Sequence, residues 1–215
     1  MKTNLKVALL ILLAIASMRL SPQDMPAPES NATSQKIWDF SLNISGYLVP
    51  NDRSYAMPTF SADREHLHLE ARYNYEDQDT GSMWVGYNFD AGKKLVLEVT
   101  PMVGAVFGNT TGVAPGYELS LTYRKLALTS DGEYVFDTGN RDNSFLYSWN
   151  ELVYSPTDWL HAGLVIQRTR AYHTSLDIQR GFSVGIVHKK TDFTVYTLNA
   201  GWTDPTIVLN LGVTF

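Results

Sequence analysis

The sequence predicts an all-β fold, a transmembrane antiparallel up-and-down β-barrel formed by residues 36–215. Apolar and polar residues alternate along most of this segment, which is the pattern of strands with one apolar and one polar face. Short turns and longer loops also alternate between the predicted strands, as they do in membrane barrels. Finally, the sequence provides no second sheet or helical layer to cover the apolar faces, which would aggregate in water but suit lipid.

The composition of the 215 residues excludes several other classes of protein. With 44% hydrophobic and 12% aromatic residues, the chain is too apolar to be disordered. Its formal net charge of −5 lacks the basic character of nucleic-acid-binding proteins, so no nucleic-acid partner is predicted. The absence of cysteine excludes disulfide scaffolds, thiolate metal sites and cysteine nucleophiles.

The first residues have the pattern of an export signal. Lys2 and Lys6 precede an unbroken apolar run over residues 7–16, and Ala14 and Ala16 provide the small residues of a cleavage site. A ten-residue run is too short for a spanning helix, which needs roughly 20 apolar residues. We therefore predict a signal peptide over residues 1–16, a flexible periplasmic leader over 17–35 and the barrel over 36–215.

The alternating segments predict twelve strands. Their ranges are 37–49, 54–62, 65–76, 82–90, 94–107, 116–129, 133–138, 143–154, 158–170, 178–189, 192–199 and 206–215. Two of them are weak, because 54–62 contains Pro58 and 133–138 is short, and omitting both leaves ten. Twelve is favoured because it places every short turn at the same end of the barrel. The phases of 143–154 and 158–170 stay ambiguous.

The predicted connections fall into two groups. Tight turns are predicted at residues 90–92, 130–132, 155–158 and 190–192, where Gly, Pro, Asp and Ser concentrate. Longer loops are predicted at 76–81, 108–116, 138–143, 171–177 and 199–205. Bulky aromatic residues near the strand ends suggest two interfacial girdles. These are Trp38, Tyr154, Trp159 and Phe193 at the short-turn end, and Tyr73, Tyr75, Tyr117 and Trp202 at the loop end.

The last predicted strand carries a more specific feature. Residues 206–215 place Ile207, Leu209, Leu211, Val213 and the terminal Phe215 on one face. An alternating last strand that ends in Phe resembles the assembly signal of bacterial outer-membrane β-barrel proteins. This resemblance implies export through the periplasm, an outer-membrane location, contact with outer-membrane lipid, and recognition of Phe215 by the barrel-assembly machinery during insertion.

With the apolar faces outward, the polar faces are predicted to line the lumen. The lumen-lining candidates are Asp39, Asn43, His66, His68, Glu70, Arg72, Asn74, Glu98, Glu118 and Arg124. Further polar candidates are Ser41, Thr100, Thr122, Glu151, Gln167, Arg168 and Arg170, the last four on strands of ambiguous phase. Because acids and bases both occur, the wall is expected to be mixed in charge, and the charges either pair across the lumen or face water.

Two candidate chemical sites compete with this interpretation. His66 and His68 share a strand face with Glu70 and could hold a metal, but one strand supplies too few ligands, so no metal or cofactor is predicted. His173, Ser175 and Asp177 form a compact group without an oriented base or oxyanion hole, so no catalytic residue is predicted.

The leading functional hypothesis is a small outer-membrane barrel that acts as a narrow passive channel for small solutes or ions. The alternatives are an outer-membrane lipid-modifying enzyme and a structural or adhesive barrel with a filled lumen. The sequence leaves open whether the lumen is open or plugged, which solute passes, and the oligomeric state.

Overall fold

The computed structural model describes residues 37–49, 53–171, 177–201 and 205–215. The secondary structure of these residues consists of thirteen β-strands and a short 3₁₀ helix at Arg141–Asn143. The strands are β1 Asp39–Leu48, β2 Tyr55–Arg64, β3 Leu67–Tyr73, β4 Thr80–Tyr87, β5 Phe89–Ala91, β6 Leu95–Gly108, β7 Gly112–Tyr123, β8 Leu126–Asp137, β9 Phe145–Thr157, β10 Leu160–Ala171, β11 Asp177–His188, β12 Thr191–Leu198 and β13 Thr206–Thr214. Among the described residues, no helix has the length and apolar character to cross a membrane. The predicted signal peptide and leader lie outside the described residues.

The strands form one closed antiparallel barrel. Apart from β4 and β5, strands that are adjacent in the chain pair with each other, and β1 pairs with β13 from Ser41 opposite Thr214 to Leu48 opposite Ile207. Both β4 and β5 pair with β6, and their register is continuous, so β5 extends β4 after an interruption at Asn88. The barrel therefore has twelve spanning strands, which confirms the predicted all-β fold class and the count of twelve over ten. Closure leaves no free sheet edge.

Short turns lie at one end of the barrel and most of the longer connections at the other. The short-turn end contains residues 65–66, 92–94, 124–125, 158–159 and 189–190, and the described connecting residues at the loop end are 49, 53–54, 74–79, 109–111, 138–144, 199–201 and 205. The left-handed backbone of Glu65, Arg124 and Lys189, each with φ between 55° and 57°, reverses the chain within two residues. The predicted segregation of turns and loops is thus observed.

The largest departure from the predicted strands concerns β7 and β8. The predicted turn at 130–132 is wrong, because Ser130 pairs with Leu119 and Gly132 pairs with Tyr117 inside the β7–β8 ladder. The chain reverses instead at residues 124–125, and the predicted loop at 108–116 shrinks to 109–111. Gly132 is needed within the strand, since a Cβ atom there would lie 2.6 Å from the ring of Tyr117.

Smaller shifts affect the other predicted turns. Strand β9 continues through Pro156 to Thr157, so the predicted turn at 155–158 contracts to 158–159. Strand β5 extends to Ala91 and strand β12 begins at Thr191. The turns predicted at 90–92 and 190–192 therefore lie one or two residues away, at 92–94 and 189–190. Each short turn keeps its predicted end of the barrel.

The outer wall is apolar and the interior is largely polar. Along β10, Leu164 is 54% exposed whereas its neighbour Val165 is 1% exposed, which reflects the alternation of outward and inward side chains. Exposed apolar residues of this kind recur around the wall, among them Phe60, Leu69, Val85, Leu97, Leu128, Leu152, Phe182, Val184, Ile186 and Ile207. A wall that exposes its large apolar residues matches the lipid-facing band of a membrane barrel.

The aromatic residues near the barrel ends only partly follow the predicted girdles. Tyr154 and Trp159 are exposed at the short-turn end, Tyr73 is exposed at the loop end, and Trp38 and Phe193 are half-buried. Two assignments are wrong and one lies outside the described residues. Tyr75 packs inside the barrel against Tyr147, Tyr117 lies in the middle of β7, and Trp202 is not described. The misplacement of Tyr117 follows from the shifted β7 boundaries.

Candidate functional site

The register of the ladder brings inward-facing residues of neighbouring strands to the same level. On one such level, Asp63 of β2 lies opposite His68 of β3, which lies opposite Gly86 of β4 and then Met102 of β6. Because facing residues in an antiparallel ladder share one side of the sheet, the interior side chains form stacked layers. The candidate functional site is this interior surface.

Arg72 occupies the middle of the lumen. Its Nη1 donates to Glu133 Oε2 at 2.8 Å and its Nε donates to Glu70 Oε1. The guanidinium carbon also lies 4.2 Å from the ring centre of Tyr75 and 4.5 Å from that of Trp84. Around the barrel wall, β3 and β8 are separated by the β4–β5 strand, β6 and β7, so the pair with Glu133 crosses the lumen.

Aromatic contacts narrow the lumen between Arg72 and the loop end. The ring of Tyr75 meets that of Tyr147 on the far wall edge-on, with 5.5 Å between centres. Trp149 of β9 meets Tyr196 of β12 at 5.2 Å, and β10 and β11 lie between these two strands in the wall. Contacts between strands that are not neighbours show that the lumen is constricted here.

Hydrogen bonds fix two further interior carboxylates, those of Glu151 and Asp192. Ser183 Oγ donates to Glu151 Oε1 at 2.5 Å, and the hydroxyl of Tyr196 donates to Glu151 Oε2 at 3.2 Å. On the same side of the barrel, His161 Nε2 lies 3.0 Å from Asp192 Oδ2. These hydrogen bonds offset the burial of the two carboxylates, whereas Nδ1 of His161 is buried without a partner.

A second network surrounds His68. His68 Nδ1 lies 2.9 Å from Asp63 Oδ1, which also accepts from Asn88 Nδ2 at 2.6 Å. Thr100 Oγ1 in turn donates to Asn88 Oδ1 at 2.6 Å. Glu70 and Glu118 approach the same histidine, and one possible ligand atom from each of the three residues lies within 4.8 Å of the others.

The interior carries mainly negative charge. Its inward-facing carboxylates include those of Asp63, Glu70, Glu98, Glu118, Asp131, Glu133, Asp137, Glu151 and Asp192. Arg72 is the one inward-facing Arg or Lys among the described side chains of the strands. Acids and a base thus both occur in this part of the wall, as expected, with the acids in large excess and the Arg72–Glu133 pair crossing the lumen. Arg124 lies exposed in the turn at 124–125, and Arg168 is exposed on the outer face opposite Ser148, while the side chain of Arg170 is not described.

The structure brings together four of the predicted lumen residues, namely His68, Glu70, Arg72 and Glu118. Asn43 and Glu98 are half-buried on inward positions of β1 and β6, and Asp39 is exposed at the start of β1.

Two further lumen candidates lie just outside the observed strand β3. His66 is exposed in the turn at 65–66, where its Nδ1 lies 2.9 Å from the carbonyl oxygen of Asn88. Asn74 follows β3 with φ 58° and donates to the carbonyl of Ala56 at 2.9 Å. Both differ from the prediction because β3 spans only Leu67–Tyr73. The left-handed residues Glu65 and Asn74 turn the chain shortly before and directly after this strand.

Several interior residues are not among those predicted to line the lumen. Asp131 falls in the predicted turn at 130–132, and Glu133 falls at the first position of the short strand predicted after it. A signal for both is present in the sequence, since Thr129, Asp131, Glu133 and Asp137 occupy alternate positions of β8. Trp84 and Tyr147 carry no such signal, because an aromatic residue on either face satisfies the same pattern. Of the weighed catalytic group, His173 and Ser175 lie outside the described residues, and Asp177 begins β11.

Comparison with known proteins agrees with the architecture. No protein-family model and no curated protein matches the chain by sequence. Among solved structures, the fold is similar to a protein described as KdgM porin, with a TM-score of 0.60 and 11% identity over 82% of this chain and 99% of that chain. At this identity the similarity shows the fold alone. The chain has the fold of a bacterial outer-membrane β-barrel protein, as its sequence pattern predicts.

Proposed function

We propose that this barrel is a small outer-membrane channel with a narrow acidic lumen that conducts small cations in preference to anions. Its twelve-stranded closed wall and apolar outer face support a role within a membrane, and the porin fold supports transport. The outer-membrane location and the assembly role of Phe215 belong to the same proposal. Phe215 is 61% exposed, and its backbone N–H bonds to the carbonyl of Phe40 at 2.9 Å beside the β1–β13 seam.

The sign of the interior charge is the observation that carries the proposal. Asp131, Glu118 and Glu98 face inward and are half-buried rather than buried, which supports contact of these acidic residues with water in the lumen. Carboxylates arranged around a pore favour cations and repel anions at short range. Arg72 does not reverse this field, because Glu70 and Glu133 already neutralise its charge.

The constriction predicts a small conductance. A twelve-stranded barrel is intermediate between side-chain-filled barrels of about eight strands and open porins of about 16–18. Here the Arg72–Glu133 pair and the Tyr75–Tyr147 contact cross that limited space. We therefore expect a channel for hydrated ions or very small solutes rather than a general diffusion pore.

Reversal potentials in a planar lipid bilayer test the proposal. Under a KCl gradient, the wild-type barrel should show the sign of a cation-selective pore. Asp131→Asn should shift the potential toward zero, because the substitution removes a half-buried inward charge. Asp158→Asn is the matched control, since Asp158 is exposed in the turn at 158–159 and its loss should change selectivity much less.

Two results would reject the channel proposal. An anion-selective reversal potential in the wild type would contradict the argument from interior charge. No measurable conductance from folded wild-type barrels would instead support a structural barrel with a filled lumen, consistent with the contacts across its middle.

A further inference from the structure

We propose that His68, Glu70 and Glu118 form a site for a divalent transition-metal ion, with Zn²⁺ as the representative ion. One possible ligand atom from each residue lies within 4.8 Å of the other two. His68 and Glu70 are two residues apart on β3 and therefore share its inward face, whereas Glu118 projects from β7. The site depends on barrel closure and is independent of whether the lumen conducts ions.

The orientation of His68 is the observation that separates this group from an ordinary acidic cluster. Its Nδ1 faces the carboxylate of Asp63 at 2.9 Å, and an ionised carboxylate accepts hydrogen bonds, so Nδ1 carries the proton. The other ring nitrogen, Nε2, is buried and has no hydrogen-bond partner, although the side chain is only 5% exposed. A buried ring nitrogen without a partner, in a group that also contains two carboxylates, is suited to bind a metal.

The partners of Asp63 reproduce the supporting shell that metal-binding histidines commonly have. Asp63 Oδ1 accepts from both His68 Nδ1 and Asn88 Nδ2, and Asn88 is held by Thr100. Such carboxylate–histidine pairs fix the tautomer and the direction of the free nitrogen. The interruption between β4 and β5 places Asn88 in this network, which gives the local break in the strand a structural role.

The three ligand atoms lie close enough together to share one ion. Gly86 lies directly opposite His68, and the space that a side chain on it would fill is taken by Thr100 and Met102, so the group is enclosed on this side. With metal–ligand bonds of about 2.0–2.2 Å, each ligand atom would need to move by less than about 1 Å to surround one ion. Arg72 donates to Oε1 of Glu70, and the same carboxylate has a second oxygen.

The ligand types favour a transition metal over Mg²⁺ or Ca²⁺. One imidazole and two carboxylates form a mixed nitrogen and oxygen set that suits Zn²⁺, whereas Mg²⁺ and Ca²⁺ prefer oxygen ligands in larger number. Three protein ligands leave a fourth position for water or a small solute. The inferred site is therefore an open one, within the lumen.

Metal binding to the folded barrel in detergent micelles tests the inference. After treatment with a chelator, untagged wild-type protein should bind one Zn²⁺ per chain by isothermal titration calorimetry. Co²⁺ should give the visible absorption of a low-symmetry nitrogen and oxygen site. His68→Gln and Glu118→Gln should each abolish this signal, and Asp63→Asn should weaken Zn²⁺ binding about 10–100-fold through loss of the supporting shell.

His161→Gln is the matched control. His161 is also a buried lumen histidine paired with an aspartate, but it is not part of the three-residue group, so its variant should bind Zn²⁺ as the wild type does. Heat-modifiable migration on gels shows which variants are folded, and the two single-ligand variants test the same site independently. The inference is overturned if the wild type binds no stoichiometric Zn²⁺, or if folded His68→Gln or Glu118→Gln binds it unchanged.

Discussion

Arg72 joins opposite sides of the barrel wall across the lumen, and we expect its removal to lower the stability of the barrel. The side chain is 5% exposed and pairs with Glu70 and Glu133, whose side chains are 6% and 2% exposed. Removing one partner of a buried ion pair leaves uncompensated charge and typically costs about 3–5 kcal/mol. We expect Arg72→Ala to lower the free energy of unfolding by that amount, measured by guanidinium unfolding of the barrel in lipid vesicles.

A second substitution distinguishes charge from packing at this residue. In the Arg72→Ala background, Glu133→Gln removes one uncompensated carboxylate and should restore part of the lost stability. Arg72→Lys should recover less than wild-type stability, because an ammonium group cannot bridge Glu70 and Glu133 while it stacks on the rings of Tyr75 and Trp84. Unfolding of Arg72→Ala at the wild-type denaturant concentration would contradict the assigned ion pairs.

At the residue scale, the sequence predicts which side chains share a strand face but not which ones meet across the lumen. The period of two is sufficient to place His68, Glu70 and Arg72 on one face. The approach of Glu118 to His68 depends on barrel closure and on the stagger of β3 against β7, which local pattern does not encode.

The β7–β8 hairpin shows the corresponding limit at the element scale. Ser130-Asp131-Gly132 has the composition of a turn, yet all three residues pair within the ladder. The pairing of Tyr117 with Gly132 explains this outcome, because the ring covers the space that a side chain on residue 132 would fill. Tertiary packing thus overrides the local turn preference, and the true reversal at Arg124-Lys125 lacks Gly, Pro, Asn and Asp.

Engineered cysteines can test the observed register, since the chain has no native cysteine. Ser120 and Thr129 are directly opposite in the ladder. Facing residues in antiparallel strands have Cα atoms about 4.5–5.5 Å apart, within the range of about 4.4–6.8 Å that disulfides span. Ser120→Cys with Thr129→Cys should therefore form a disulfide under mild oxidation, measured by its altered migration on non-reducing gels.

The control pair combines Ser120→Cys with Ala127→Cys. Ala127 lies on the same face but is displaced by two residues from the position opposite Ser120, at a diagonal distance of about 7–8 Å. It should cross-link much less efficiently. A turn at 130–132 would place both pairs out of register, so equal or absent cross-linking in the two variants would contradict the β7–β8 ladder.

At the scale of the whole molecule, the number of strands follows from the sequence because connections of two lengths alternate along it. The shifted boundaries of β7 and β8 leave that count unchanged, since the turn at 124–125 replaces the predicted one at the same end. The state of the lumen cannot be predicted in this way. It depends on contacts such as Arg72–Glu133 and Trp149–Tyr196, which join strands that are distant around the wall.

The apolar outer wall predicts that the free-energy cost of a charged substitution depends on its depth in the membrane. Leu152 lies near the middle of β9 and is 45% exposed, whereas Leu126 begins β8 beside the turn at 124–125 and is 46% exposed. An arginine on the lipid face costs about 2–4 kcal/mol at the midplane but only about 0–1 near the interface. Leu152→Arg should therefore reduce the free energy of unfolding in vesicles by the larger amount, and Leu126→Arg by the smaller.

Thr129→Arg provides the interior control for this comparison. Thr129 is half-buried on the inward face of β8 and lies opposite Glu151, so an arginine there gains an acidic neighbour and avoids lipid. It should cost less than Leu152→Arg in the same unfolding measurement, although both substitutions introduce the same side chain. Equal losses at residues 126 and 152 would mean that the wall has no lipid depth profile. An equal or larger loss at residue 129 would mean that the assigned inward and outward faces are reversed.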